Sequence, residues 1–221
     1  MIIAIDGPSG AGKSTLGKML AKNLGLLYLD TGAMYRAVGL AVFESGKDFY
    51  DPETVVEIAR HSVIELIGEP DVLQVKLNGK DVSNEIRTNE VGQMASIIST
   101  VSEVRRILVE HQRTLGRNAV QGCVLDGRDI GTIVFPNADV KFFLTAKPEA
   151  RARRRYEEDE RRGRISTYEE TLAEINLRDE RDVSREDSPL AIAEDAIVID
   201  TSELDLREVF ELMLEKIGTE K

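Results

Sequence analysis

Tryptophan is absent from this sequence of 221 residues, and aromatic residues make up only 5% of it. We therefore expect a core of aliphatic side chains, which suits a soluble globular domain with 42% hydrophobic and 31% charged residues. The one cysteine, Cys123, excludes an internal disulfide and is compatible with a reducing compartment. Its apolar neighbours favour a buried thiol over a nucleophile.

Positive charge and long apolar runs are scarce as well. A formal net charge of −11 argues against a protein that binds duplex nucleic acid, since such a protein needs a basic surface. A small anionic ligand needs only a local group of arginines and is not excluded. No apolar run reaches the roughly 18 residues of a membrane span, and the N-terminal MIIAIDG predicts a first strand and not a signal peptide. We expect a cytoplasmic monomer that binds neither nucleic acid polymers nor membranes.

Short apolar runs alternate with helical patterns along the chain, which predicts an α/β fold with a parallel sheet covered on both faces. The pattern changes at residues 63–82, where VLQVKL alternates and Asn78-Gly79 is typical of a two-residue hairpin turn. We interpret this segment as a small antiparallel insertion. The runs that predict buried strands of the parallel sheet are residues 2–5, 26–29, 120–125, 140–144 and 196–199.

The strongest chemical signal follows the first predicted strand. GPSGAGKS, residues 7–14, fits the phosphate-loop pattern of glycine, four residues and Gly-Lys-Ser, and it opens a helix as that pattern requires. Backbone N–H groups of such a loop face a polyphosphate, Lys13 would reach the β- and γ-phosphates, and Ser14 would ligate Mg²⁺. The predicted ATP-binding residues here are Gly7, Pro8, Ser9, Gly10, Ala11, Gly12, Lys13, Ser14 and Thr15.

A small-molecule kinase is the class of nucleotide-binding protein that suits this chain best. A GTPase would also show Asp-x-x-Gly and Asn-Lys-x-Asp, and neither occurs. A kinase must bind an acceptor, neutralise the migrating phosphoryl group and exclude water. Arginines stand near turns and helix ends, where they can serve the acceptor: Arg36, Arg105, Arg128, Arg178 and Arg185.

A second arginine group, Arg151, Arg153, Arg154 and Arg155, opens a helix that starts at Pro148. Two interpretations stay open. The helix can be solvated and paired with the acidic residues at 157–160. Alternatively, it belongs to a mobile lid that closes over ATP, because highly charged segments pack weakly.

Seven motifs in order along the chain resemble those of the bacterial-type cytidylate kinases. They lie at residues 5–15, 29–36, 85–96, 104–108, 126–144, 178–187 and 189–202, and include LDTGAMYR, DGRDIGTIVFPNADVKFFL and RDERDVSRED. The resemblance implies a three-layer P-loop nucleoside-monophosphate-kinase fold with a five-stranded parallel sheet. It further implies one kinase domain, with a core of residues 1–30, 88–147 and 186–221, an acceptor-binding region at 31–87 and a lid at about 148–185.

The resemblance also implies the reaction and the role of each site residue. ATP would phosphorylate CMP or dCMP with Mg²⁺ as cofactor. Arg128 would bind the acceptor phosphate and Asp129 the cytosine, while Asp126 would organise Mg²⁺ beside the phosphate loop. The other implied contacts are Arg36 and Arg185 to the phosphate, Ser96 and Arg105 to the base, Arg178 and Asp182 to the sugar, Asp30 and Thr31 along the acceptor pocket, and Arg151, Arg154 and Arg155 to ATP.

Lys13, Arg128, Arg185 and Asp126 are the residues expected to act in catalysis. Without the resemblance, Thr31 predicts only a helix cap. Two alternatives remain for the function. One is a P-loop kinase of another small acceptor such as UMP, AMP or shikimate. The other is an ATP-gated regulatory module without turnover, which would have no need of the acceptor arginines.

Overall fold

The computed structural model describes residues 1–161 and 163–219. Residue 162, in the predicted lid, and residues 220–221, in the predicted core segment, lie outside that description. In chain order the strands and helices are β1 (Ile2–Asp6), α1 (Lys13–Leu24), β2 (Leu27–Asp30), α2 (Thr31–Ser45), α3 (Pro52–His61), β3 (Ile64–Ile67), β4 (Gln74–Leu77), β5 (Lys80–Asp81), α4 (Asn89–Ile98), α5 (Ser102–Asn118), β6 (Cys123–Gly127), β7 (Val140–Thr145), α6 (Pro148–Arg161), α7 (Tyr168–Ser184), β8 (Ile197–Asp200) and α8 (Leu206–Thr219).

Five parallel strands form the main sheet in the order β2-β6-β1-β7-β8. Successive residues of the central strand β1 face opposite sides of this sheet, as the period of a strand requires. Ile3 and Ile5 pack in a core cluster with α1 and α8, whereas Ala4 packs in a second cluster with Val109 of α5. The three-layer α/β fold with a five-stranded parallel sheet is confirmed.

The antiparallel insertion is confirmed as a three-stranded sheet in the order β3-β4-β5. Asn78 and Gly79 have φ of 51° and 82°, so both adopt the left-handed conformation of a tight two-residue hairpin turn. A third hydrophobic cluster joins this sheet to α2, α3, α4 and α5. The predicted acceptor-binding region therefore shares its core with α4 and α5.

Helices α6 and α7 pack against each other across residues 148–184, the predicted lid. A capping box at Thr167 and Glu170 starts α7, because each side chain accepts a hydrogen bond from the other residue's backbone N–H. The boundaries of core, acceptor region and lid stay a prediction. Within residues 1–161 and 163–219, no helix has the length and apolar character needed to cross a membrane.

We expect Leu20→Ala to lower the free energy of unfolding by about 2–5 kcal/mol. Leu20 lies on the buried face of α1 in the core cluster of the sheet, and truncating its side chain leaves a cavity. Leu177→Ala is the matched control, since Leu177 is 49% exposed, and should cost less than about 1 kcal/mol. Urea unfolding followed by circular dichroism measures both. Equal losses would contradict the assignment of Leu20 to the core.

Candidate active site

The phosphate loop joins β1 to α1 at the carboxyl edge of the main sheet. Gly7 has a φ of 145°, and a Cβ there would lie 2.0 Å from the carbonyl oxygen of Leu144, so only glycine fits. Helix α1 begins at Lys13, which aims its N-terminus at the loop. The Lys13 Nζ donates to the carbonyl oxygen of Pro8 at 2.7 Å. Burial and the nearby charge of Arg128 lower the pKa of Lys13, so an added anion would favour its charged form.

Asp126 lies near the end of the neighbouring strand β6, between the phosphate loop and the residues expected to bind the acceptor. Its carboxylate accepts from the Ser14 hydroxyl at 2.6 Å and from the Tyr28 hydroxyl at 3.1 Å. Burial and the charge of Asp30 raise the pKa of Asp126 to about 7, although Ser14 and Lys13 oppose that shift. A carboxylate and a hydroxyl oxygen side by side are ligands of the kind that Mg²⁺ prefers.

Thr31 is not the cap of α2, and that expectation from the residues alone is wrong. Asp30 is the capping residue and accepts from the backbone N–H of Ala33 at 2.9 Å. The Thr31 hydroxyl instead donates to the backbone oxygen of Asp126 at 2.7 Å. Both residues lie beside Asp126, so the structure brings Asp30, Thr31 and Asp126 together.

Of the residues expected to read the base, Arg105 and Asp129 meet as a buried ion pair. The Arg105 side chain is 3% exposed, its Nη2 pairs with the carboxylate of Asp129, and its guanidinium lies 5.8 Å above the ring of Tyr35. Its Nη1 donates to the backbone oxygen of Ser99 at 3.2 Å. In the described part of the chain, the Ser96 hydroxyl and the Arg105 Nε are buried with no hydrogen-bond partner. These free polar atoms suit a ligand that supplies partners.

Asp182 is the centre of a second charged group. It accepts from the Arg128 Nε at 2.7 Å and lies 3.1 Å from the Arg185 Nη2. Burial alone would raise the pKa of Asp182, but the charges of Arg128, Arg185 and Arg178 outweigh burial and hold that pKa below its ordinary value. One carboxylate thus serves several arginines.

Arg178 and Arg36 add to the excess of positive charge. Burial and the charge of Arg128 lower the pKa of Arg178 to about 9, and its Nε is buried without a partner among the described residues. Burial likewise lowers the pKa of Arg36 to about 10, and its Nη1 donates to the backbone oxygen of Ile86 at 2.8 Å. We call Arg36, Arg105, Arg128, Arg178 and Arg185 the arginine cluster; the charges of these five residues act on one another.

Three arginines of α6 were expected to bind ATP, and each is tied to the protein. Arg151 donates to the carbonyl oxygen of Ser9 at 3.1 Å and pairs with Asp179 at 2.5 Å. Arg154 bonds Thr201, whose hydroxyl lies 3.4 Å from the carbonyl oxygen of Ala11 in the phosphate loop. Arg151 and Arg154 therefore flank the phosphate loop.

The third of these arginines, Arg155, lies on the acceptor side and donates to the Asn89 Oδ1 at 2.6 Å. The Arg164 Nη2 similarly donates to the backbone oxygen of Arg87 at 3.2 Å. Arg153 is exposed, as expected of a solvated helix face. Helix α6 thus has one solvated face and one face that contacts both predicted binding regions.

Sequence reasoning missed three residues that shape the site. Tyr28 contacts Asp126, Tyr35 lies under Arg105, and Asp6 accepts from the backbone N–H groups of Ile130 and Gly131 at 2.8 and 2.7 Å. A signal for Asp6 was present, because it ends a buried strand next to a glycine, as Asp126 does. Tyr28 and Tyr35 lie in apolar or helical patterns that give no such signal.

A phosphate loop at the carboxyl edge of a five-stranded parallel sheet, facing a buried arginine cluster, is the arrangement of a P-loop kinase. The chain belongs to the cytidylate kinase family, because the family model described as "Cytidylate kinase" matches residues 3–219. It is 53% identical over 215 residues to the cytidylate kinase of Caldanaerobacter subterraneus subsp. tengcongensis, an alignment that covers 97% of this chain and 93% of that protein.

A second relative agrees with that membership, and a solved structure agrees with the fold. The cytidylate kinase of a Geobacter species is 50% identical over 213 residues, which cover 96% of this chain and 91% of the relative. A crystal structure of an uncharacterised protein from Eubacterium ventriosum superposes with a TM-score of 0.50 at 14% identity and covers 99% of this chain and 98% of its own. At that identity the structural likeness supports the fold alone.

Asp179→Ala should lower the free energy of unfolding by about 1–3 kcal/mol, because it leaves the buried guanidinium of Arg151 without its carboxylate. Glu211→Ala is the matched control: Glu211 and its partner Arg207 are 61% and 84% exposed, so its loss should cost less than about 1 kcal/mol. Thermal unfolding of both variants tests this. A cost for Asp179→Ala no larger than that of Glu211→Ala would show that the Arg151 pair is not structural.

Proposed function

We propose that the protein transfers the γ-phosphoryl group of ATP to CMP and dCMP, producing ADP and CDP or dCDP. The observation that best supports this is the short stretch Asp126–Asp129. At one end Asp126 bonds Ser14 of the phosphate loop. At the other end Arg128 belongs to the arginine cluster and Asp129 pairs with Arg105 of that cluster. A donor and an acceptor nucleotide bound on the two sides would therefore meet at this stretch. Membership of the cytidylate kinase family supports the choice of acceptor.

On the donor side, the phosphate loop and Lys13 bind the phosphates of ATP, and Arg151 and Arg154 approach ATP from α6. Arg155, which donates to Asn89 on the acceptor side, would reach ATP from there. We propose Mg²⁺ as cofactor, with Ser14 as its ligand and Asp126 organising its water shell. The described residues include no group of three or more His, Cys, Asp or Glu side chains that could hold a metal. This fits Mg²⁺, which is commonly bound through few protein ligands and substrate phosphates and here would neutralise phosphate charge.

On the acceptor side, Arg36, Arg128 and Arg185 bind the monophosphate of the acceptor. Asp182 and Arg178 hold the sugar, while Asp30 and Thr31 line the pocket. Ser96, Arg105 and Asp129 read the base. The support for this assignment is the chemistry of the cluster: buried N–H groups without partners and arginines whose like charges oppose one another are stabilised by an anionic ligand.

Phosphoryl transfer requires positioning and charge neutralisation more than covalent chemistry. The acceptor phosphate oxygen is itself the nucleophile, so the chain has to supply neither a covalent intermediate nor a strong general base. Lys13, Arg128 and Arg185 stabilise the charge that spreads over the migrating group, and Asp126 keeps Ser14 in place. Contacts of α6 and α7 with both regions exclude water, which suppresses hydrolysis of ATP.

A location in the cytoplasm and a monomeric state complete the proposal. Cys123 is buried, and burial raises the pKa of its thiol to about 11, which disfavours the nucleophilic thiolate. An ADP-release assay with CMP, dCMP, UMP, AMP and shikimate as acceptors tests the proposal. Acceptor-independent ATP binding without turnover would favour the regulatory module instead.

Lys13→Ala should lower kcat by at least about 10³-fold, because Lys13 is the phosphate-loop cation. Its side chain contacts the loop through Pro8, so the far-ultraviolet circular dichroism spectrum should not change. Lys22→Ala is the control on the same helix, since the Lys22 side chain is 67% exposed and pairs with Asp71, and it should keep near-wild-type turnover. A folded Lys13→Ala variant with wild-type kcat would remove the phosphate loop from the mechanism.

Asp129→Ala should lower kcat/KM for CMP far more than for UMP. An ionised carboxylate accepts from the cytosine amino group but faces a carbonyl oxygen in uracil, and such a mismatch in a hydrogen-bonding pocket is worth up to about 10⁴-fold. Arg128→Ala is the control, because both nucleotides carry the same phosphate, and it should lower the two values in equal proportion. Steady-state kinetics of both variants on both acceptors measures this. Proportional losses in Asp129→Ala would show that Asp129 does not read the base.

A further inference from the structure

Asp6 is the last residue of the central strand β1 and directly precedes the phosphate loop. Its side chain nevertheless contacts a different segment, the turn that follows Asp129 on the acceptor side. Its carboxylate is 4% exposed. Oδ1 accepts from the backbone N–H of Ile130 at 2.8 Å, and Oδ2 accepts from that of Gly131 at 2.7 Å. We propose that Asp6 is a positioning residue that sets the preference for cytosine: it caps the turn after Asp129 and so leaves the Asp129 carboxylate free to face the base. This inference rests on the proposed function.

The turn that follows Asp129 needs such a cap. Residues Ile130–Val134 form one π-helical turn, and the first N–H groups of any helical turn have no acceptor within it. The backbone oxygen of Asp129 already closes the turn by accepting from Ile133 and Val134 at 2.9 and 3.1 Å. Ile130 and Gly131 at the start of the turn are buried, so their N–H groups require an acceptor from a side chain.

Asp129 itself occupies the capping position, and aspartate there usually accepts these N–H groups with its own side chain. Its side chain makes no capping bond and pairs with Arg105 instead. Asp6 therefore supplies, from another strand, the acceptor that the capping residue withholds. Asp6 accepts from the backbone of the turn and Asp129 pairs with Arg105, because a single carboxylate cannot make both sets of contacts.

The contact with Ile130 also fixes the backbone of Asp129. The N–H of Ile130 belongs to the peptide group that joins Asp129 to Ile130, so its direction is set by the ψ angle of Asp129, which is 23°. Asp6 is held in the central strand between β6 and β7. A rigid acceptor at this point restricts that ψ angle, and with it the direction in which the Asp129 side chain leaves the backbone.

The two backbone N–H groups that the Asp6 carboxylate accepts from favour its ionised form. Burial raises the pKa of Asp6 to about 6, while the bonds from Gly131 and Ile130 and the charge of Lys13 oppose that shift and the charge of Asp129 adds to it. A neutral side chain at position 6 would leave one or both N–H groups without an acceptor. Asp129 is the nearest carboxylate along the chain, and it can cap the turn only by giving up Arg105.

Asp6→Asn is the direct test, measured as the ratio of kcat/KM for CMP to kcat/KM for UMP. The amide keeps one acceptor oxygen and places an NH₂ group opposite the second N–H. We expect the ratio to fall at least about tenfold, mainly through a lower kcat/KM for CMP. The ratio does not depend on the fraction of active enzyme, so partial unfolding of the variant does not affect it. An unchanged ratio would overturn the proposal.

The double variant Asp6→Asn with Asp129→Ala separates positioning from a general loss of structure. If Asp6 acts through Asp129, the ratio in the double variant equals that in Asp129→Ala alone within about twofold. A further fall by the full factor seen in Asp6→Asn would mean that Asp6 acts independently of Asp129, and would overturn the proposal.

Asp139→Asn is the matched control at the opposite end of β1. The exposed Asp139 carboxylate accepts from the backbone N–H of Ile2 at 2.6 Å, so this variant weakens a side-chain-to-backbone bond on the same strand far from the base, and the ratio should stay at the wild-type value. A fall like that of Asp6→Asn would show that the ratio reports any weakening of β1, and would overturn the proposal.

If Asp6→Asn gives no folded protein, Asp6→Ser replaces it, because serine still offers one acceptor. Wild-type protein that fails to phosphorylate CMP would refute the proposed function itself, whereas CMP turnover with an unchanged ratio refutes only the role of Asp6.

Discussion

Buried positive charge in the arginine cluster is the constraint that the rest of the site has to satisfy. Asp129 and Asp182 are the carboxylates paired with Arg105, Arg128 and Arg185. Buried charges are costly unless they are paired, and these arginines also repel one another. An anionic ligand would therefore stabilise the cluster by adding the negative charge that two carboxylates alone do not supply. The sheet and the shared core of α2 to α5 hold the arginines in place against that repulsion.

Three neighbouring strands carry an aspartate at or next to their carboxyl end on the same edge of the sheet, and each aspartate has a different task. Asp30 of β2 is in register with Asp126 of β6, and Asp6 of β1 is in register with Gly127. Asp30 caps α2, Asp126 holds Ser14, and Asp6 accepts from the turn after Asp129. The carboxyl ends of parallel strands lie along one edge, so aspartates far apart in sequence converge without any long side chain. The parallel topology thus brings these three carboxylates close to the backbone and side-chain groups that they bond.

Local signals predicted the local parts of this structure well. The Asn78-Gly79 turn and the phosphate loop follow from backbone preferences of a few adjacent residues, and both formed as expected. Tyr28 gave no local signal, because its partner Asp126 lies 98 residues away. The local pattern at Asp6 indicated a strand end beside a glycine but not its partner Ile130, which lies 124 residues away. The error at Thr31 has the same origin: two adjacent residues are both good caps, and the bond from Thr31 to Asp126, 95 residues away, decides which one caps the helix. Residue roles in the site rested on family resemblance, since spacing alone does not say which arginine meets which group.

The contrast between the two arginine groups explains how a chain with a net charge of −11 can suit two anionic ligands. On the donor side, Arg151 and Arg154 are tied to Asp179 and Thr201, so they stabilise the surroundings of the phosphate loop. On the acceptor side, buried nitrogens of Arg105 and Arg178 have no partner within the described residues. Attraction for an anion depends on the local field and on how far the cations are removed from water, and not on the net charge of the molecule. The excess acidic residues can therefore lie on the outer surface without weakening a site whose own charge is positive.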